Sequence, residues 1–161
     1  MSWLARRRDS RGSVSVETAV VAPAFIGLLL LAAMAGRTAL ADEAVGAAAH
    51  DAARAASIAR SPDEARQGAA AAVTAQLAWS DLTCSSITIA LDGIVGNNET
   101  SLDEAFDQLL GSDVSVRATV SCLVVYEDLS MPALDMIASD WRESTFVSPL
   151  DRYRSRSGGD T

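Results

Sequence analysis

The chain has 161 residues, enough for one domain of modest size; 49% are hydrophobic, but much of that is alanine and only eight residues are aromatic, so there is little material for a large packed core. A net charge of −8 with no basic face argues against a nucleic-acid partner, and a single histidine argues against a zinc centre. Two widely separated cysteines fit one structural disulfide formed in an oxidising compartment.

In chain order, residues 1–12 form a basic leader: Arg6, Arg7, Arg8 and Arg11 against Asp9 leave it with a net charge of +3. Residues 13–36 read as a transmembrane helix. From Val14 to Ala35 the only ionisable side chain is Glu17, and at about 1.5 Å per residue this stretch spans roughly 33 Å, enough to cross a bilayer. The arginine cluster before it, against Arg37 alone and then Asp42 and Glu43 after it, predicts by the positive-inside rule a cytoplasmic N-terminus, with everything beyond residue 40 outside the cell membrane.

Two residues of this stretch are chemically out of place. A carboxylate at the centre of a span costs about 2.5–3.5 kcal/mol, less near its edge, so Glu17 either has a functional partner or lies among the headgroups, with the true span starting near Thr18. Pro23 has no N–H for the carbonyl of Ala19, which predicts a local kink in the helix.

Residues 37–80 read as an extracytoplasmic helical region. Val45, Ala49, Ala52, Ala56 and Ala59 make a small-residue stripe at helical spacing, and Glu43, His50, Arg54 and Ser57 fall on the opposite side. Such a stripe fits either a close subunit contact or packing on the protein's own domain; His50, without a second ligand candidate, reads as solvated. Ser61-Pro62-Asp63-Glu64 is a capping box that restarts a helix to about Trp79, with Ala69, Val73 and Leu77 inward.

Residues 81–150 read as a small α+β domain. Ile87, Ile89 and Leu91 alternate with Thr88 and Ala90, and Asp92-Gly93 is expected to end that strand as a turn. Gly96-Asn97-Asn98 reads as loop, and Ser101-Leu102-Asp103-Glu104 as a second capping box opening a short helix that ends at Gly111. From Val114 to about Tyr126, Val114, Val116, Ala118, Val120, Cys122 and Val124 share one face and polar residues the other, which suits an antiparallel sheet with helices on one side. Cys122 points inward and Cys84 is out of phase with Ile87, so Cys84 is expected to precede the regular strand and to pair with Cys122. Leu134, Ile137 and Trp141 suggest a helix, Ser144 to Ser148 an edge strand, and residues 151–161 a disordered tail.

Gly12 with arginines before it and a glutamate five positions after it resembles the processing site of type IV pilin precursors. The run Arg11-Gly12, Val16-Glu17, Pro23, the leucines and Gly36-Arg37, continued by Val45 and Ala52-Ala53-Arg54-Ala55-Ala56-Ser57, is closer still to TadE-like minor pilins of tight-adherence (Flp-type) systems. The likeness covers about the first sixty residues. It implies cleavage by a prepilin peptidase between Gly12 and Ser13, an assembly role for Glu17 and Pro23, and a pilin-like α+β fold in which the transmembrane helix continues into a small extracytoplasmic domain. The partners it implies are the major pilin, other minor pilins and inner-membrane platform proteins, within the lipid bilayer and without a cofactor. Ser13 stands where many pilins carry an aromatic residue.

Two other readings stay open. Ala39-Leu40-Ala41 before Asp42 fits the A-x-A pattern of signal peptidase I, whose cut would discard Glu17 and Pro23. A membrane-anchored or secreted binding module unrelated to pili would leave Glu17 dispensable. No nucleophile–base pair, metal cluster or phosphate loop supports an enzyme. Intact-mass measurement of the mature protein separates the two cuts: the expected N-terminal residue is Ser13, and a chain starting at Asp42 would rule out the pilin-type cut.

Overall fold

In the computed structural model residues 11–109, 111–126 and 139–152 are described, with the side chains of residues 11–16 outside that description. An alanine-rich run with few helix breakers produces α1, Arg11–Ser57, which holds Pro23 in its interior. The chain divides into two compact units, Met1–Ala39 and Leu40–Thr161, and α1 contributes to both. In the first unit the large apolar side chains of α1 are exposed, among them Val20, Phe25, Ile26 and Leu28 to Leu31.

In the second unit the same helix turns an alanine face inward. Ala41, Val45, Ala48, Ala49, Ala52, Ala53 and Ala56 are all at or below 1% exposure, so the small-residue stripe is used up by the protein's own domain. Ser57 departs from its expected place on the polar side: it is buried, and its hydroxyl donates to the carbonyl of Arg54 as the helix ends.

Pro62 then begins α2, Pro62–Trp79, with Ser61 as N-cap accepting from the Glu64 N–H at 3.3 Å. The Glu64 carboxylate reaches back to the N–H of Arg60 at 2.8 Å, one residue before the cap. Ala65, Ala69, Val73 and Leu77 are buried, and Gly68 lies beside Ala55, where a Cβ would sit 3.8 Å from the Ala55 methyl. Two helices lined with such small groups can approach closely.

The sheet has four antiparallel strands in the order β2-β1-β3-β4: β1 Cys84–Val95, β2 Asn98–Ser101, β3 Val114–Val125 and β4 Ser139–Pro149. β3 is central, and its burial alternates at every residue, with Val114, Val116, Ala118, Val120, Cys122 and Val124 all at or below 1% exposure. Those six residues join the buried faces of α1 and α2 in one core. The outer face is bound by polar cross-strand pairs instead: Thr119 with Thr145 at 3.0 Å, Ser121 to Glu143 at 2.8 Å, and Arg117 with Glu99.

The expected turn at Asp92-Gly93 is absent; β1 runs on to Val95, and the reversal comes at Gly96, whose φ is +61°. Gly93 is needed for approach rather than for turning. A Cβ there would lie 2.4 Å from the Ala105 Cβ and 2.7 Å from the Ser101 carbonyl oxygen, because α3, Leu102–Phe106, packs directly on it. Asn98, expected in a loop, starts β2. α3 itself stops well short of Gly111: Leu102, Ala105 and Phe106 are buried, but Leu109, which would extend that side, is 80% exposed. Of the second capping box the N-cap half forms, with Ser101 Oγ accepting from the Glu104 N–H at 3.2 Å, while the Glu104 carboxylate accepts from the Thr100 hydroxyl instead.

Trp141 lies on β4, not on a helix; its backbone is paired with Leu123 of β3, and the strand needs that register to reach Ser148 and Pro149. Leu134 and Ile137 fall outside the described residues, as do residues 1–10 of the leader and 153–161 of the tail. Arg152 is tied down by Asp113 at 2.7 Å.

Cys84 and Cys122 are disulfide-bonded, with Cα atoms 5.6 Å apart. A register shift between Cys84 and Ser86 accounts for the phase problem in the sequence, because the extra residue lets Cys84 sit opposite Val124 within β1. The bond closes a loop with a sequence separation of 38, which the chain-entropy model values at about 4 kcal/mol. Two stability changes are expected in chemical denaturation. Removing both cysteines as serines should lower unfolding free energy by about 4 kcal/mol, and Gly93→Ala by about 1–3 kcal/mol through overpacking against α3. Wild-type midpoints for either variant would contradict the respective packing.

Candidate functional site

The residues singled out at the N-terminus all lie on α1. Gly12 and Ser13 fall in its first turns, Glu17 is exposed, and Pro23 is held within continuous helix. Positions 13 and 17 are one helical turn apart, so the backbone amine that a cut after Gly12 would create lies on the same face as the Glu17 carboxylate. Pro23 cannot donate to the carbonyl of Ala19, which leaves that oxygen without its usual helical partner.

Among the described residues α1 is the one helix long and apolar enough to cross a membrane, and none of its most apolar window is buried. Eight large apolar side chains between Val20 and Leu31 are between 45% and 72% exposed. A contiguous surface of that kind is unfavourable in water and matches the hydrocarbon of a bilayer. Glu17 stands at the N-terminal edge of this apolar run, where an ionised carboxylate is least costly.

The domain end of α1 is held by a second set of residues, on β4. Along the strand Arg142, Ser144, Phe146 and Ser148 share the helix-facing side with Cys122, Val120, Ala118 and Val116 of β3. Along the helix their counterparts are Asp42, Gly46, His50 and Ser57. Arg142 pairs with Asp42 at 3.3 Å, and also with Asp140 at 2.6 Å. Gly46 lies where a Cβ would be 3.7 Å from Ser144 Oγ, His50 meets the Phe146 ring edge-on at 4.5 Å, and Ser148 donates to Ser57 at 3.0 Å. Four residues of helix advance about 6 Å and two of strand about 6.6 Å, so the first three rungs stay in step without strain.

Arg142 is the charged member of this series, and its side chain is only 21% exposed. Burial works against its charge, but the carboxylates of Asp42 and Asp140 and the nearby Tyr126 outweigh that and raise its pKa above the ordinary arginine value. On the opposite side of the domain Arg66 of α2 bridges Asp103 of α3 at 2.6 Å and Asp63 at 3.0 Å; the hydrogen bond to Asp103 is the main reason its pKa is raised. His50 is exposed, and its Nδ1 is 3.1 Å from Asp51. Among the described residues no three histidine, cysteine, aspartate or glutamate side chains come together to hold a metal.

Sequence reasoning located the apolar segment and both cysteines but missed the β4 rungs. The period-two series Arg142, Ser144, Phe146, Ser148 was available as a signal; the helical spacing of Leu134, Ile137 and Trp141 obscured its beginning. In comparison with known families, a family model described as TadE-like protein matches residues 12–54. The fit begins at Gly12, contains Glu17 and Pro23, and stops within α1, so α2, α3 and the sheet lie beyond it. Searches of curated proteins and of solved structures find no match.

Proposed function

We propose that this protein is a membrane-anchored structural component of a tight-adherence pilus assembly machine, a minor pilin or pseudopilin that primes, assembles or caps the fibre. The observation that carries the reading is the coincidence on one helix of the TadE-like match over residues 12–54 and an exposed apolar surface long enough to span a bilayer. The arginine cluster favours a cytoplasmic N-terminus. The Cys84–Cys122 bond favours an oxidising compartment for the other end, which agrees with that orientation.

In this reading a prepilin peptidase cuts after Gly12, and the cut creates a cationic amine at Ser13, with a pKa near 8 in water. Glu17 is then the counter-charge, to its own amine or to that of a neighbouring major or minor pilin in the platform. Pairing in a medium of low dielectric offsets part of the cost of desolvating both groups. Pro23 leaves a backbone carbonyl free inside the span, a place where a packed bundle can adjust its helices locally. A plain membrane anchor for a binding module is the other reading, and Glu17 discriminates between them.

Glu17→Ala should leave the protein in the membrane fraction yet reduce its recovery with the major pilin by roughly tenfold or more, the order expected when one partner of a desolvated charge pair is removed. Undiminished recovery would favour the plain anchor.

A further inference from the structure

Both described tryptophans lie at the same end of the domain. That end is defined by the rung Cys84, Val124 and Asp140 across β1, β3 and β4. α2 finishes there, since Leu82 bonds back to Leu77 and the carbonyl of Thr83 accepts from the N–H of Val125. α1 begins its buried course there too, since Asp42 reaches Arg142. Trp79, in the last turn of α2, is 84% exposed; Trp141, one rung in on the outer face, is 55% exposed; Leu40, two residues before Asp42, is 66% exposed. The opposite end, at Val95, Val114 and Pro149, is about 35 Å away along the strands and has no tryptophan among the described residues.

We propose that this end of the domain docks on a lipid surface, with Trp79, Trp141 and Leu40 seated at the level of the headgroups. The proposal rests on the span assigned above. From Gly36, where the apolar run closes, to Asp42 is six residues, at most about 20 Å of chain even when fully extended. The Arg142 end of the sheet is therefore tethered within reach of the interface, whatever the course of the intervening residues. Indole is suited to that position, with a large apolar body and one N–H to satisfy.

The charges select the kind of surface. Asp42, Glu43, Asp81 and Asp140 share this end with Arg142, which is committed to two of them. A surplus of carboxylates is repelled by anionic lipid, so the matching surface is zwitterionic. Docking of this type would limit how the domain tilts on its tether and so fix which faces neighbouring subunits can reach.

The test uses the full-length chain in phosphatidylcholine vesicles whose acyl chains carry bromine, a short-range quencher of tryptophan, beside matched vesicles without it. Trp3→Phe is the background, and Trp79→Phe or Trp141→Phe then leaves one indole to observe. A third protein, with all three tryptophans as phenylalanine and Phe25→Trp, reports the span. The expected result is blue-shifted emission and loss of intensity in brominated lipid at Trp79 and at Trp141, with a larger loss at position 25. Quenching at position 25 without quenching at both Trp79 and Trp141 overturns the docking and leaves the rim to a protein partner. No quenching at position 25 overturns the span and the docking together.

Discussion

The constraint on which the domain depends is the shared core to which the alanine face of α1 and the valine row of β3 both contribute. Ala48, Ala49, Ala52, Ala53 and Ala56 and the inward residues of β3 are all fully or almost fully buried. Small side chains allow a helix to lie close to a sheet, but each contributes little. A buried methyl or methylene is worth about 0.8 kcal/mol, against roughly 1.5 kcal/mol or more for a whole valine side chain. A core assembled this way is thin, with Phe106 its one buried phenylalanine among the described residues. The disulfide and the close seat of α3 on Gly93 each fasten a part of the fold that such a thin core holds weakly, while the exposed bridge from Arg66 to Asp103 adds little.

That economy of side chains follows from the double employment of α1. One helix has large apolar residues up to Leu31, suited to lipid, and almost only alanine, glycine and valine on its buried side from Ala41 onward, suited to close packing. From Asp42 onward the helix also makes a series of contacts with β4: an ion pair, a glycine beside a serine, a ring contact and a hydroxyl pair. An edge strand whose helix-facing residues are arginine, serine, phenylalanine and serine would be a poor core strand, yet it is a good guide rail. The first and last rungs are closed by Asp42 and Ser57 on the helix, and a shift of register would strand Arg142 away from Asp42.

Much of this was legible in advance, and the failures have physical causes. The period-two pattern of Val114 to Val124 and the serine N-caps at Ser61 and Ser101 are local signals, and each formed where its residues predicted. Asp92-Gly93 misled because the sequence of a turn and that of a close approach are the same: only the position of Ala105, twelve residues away in the chain, makes the glycine necessary in the strand. Ser57 misled, and Arg142 gave no signal, for a related reason. Their contacts are with partners 91 and 100 residues distant, Ser148 and Asp42, which no periodicity can reveal. At the N-terminus the match over residues 12–54 agrees with the resemblance seen around Gly12, Glu17 and Pro23.

Amide hydrogen exchange on the full-length protein in vesicles tests the central claim most directly, because it reads each segment of α1 separately. If residues 41–57 are a core element of the folded domain, their amides exchange with the same free energy as those of β3, and both are released together when the disulfide is reduced and the domain unfolds. Residues 20–31 should stay protected under those conditions, sheltered by lipid instead of by the fold. Exchange of 41–57 ahead of β3, or joint loss of protection along the whole of α1, would contradict it.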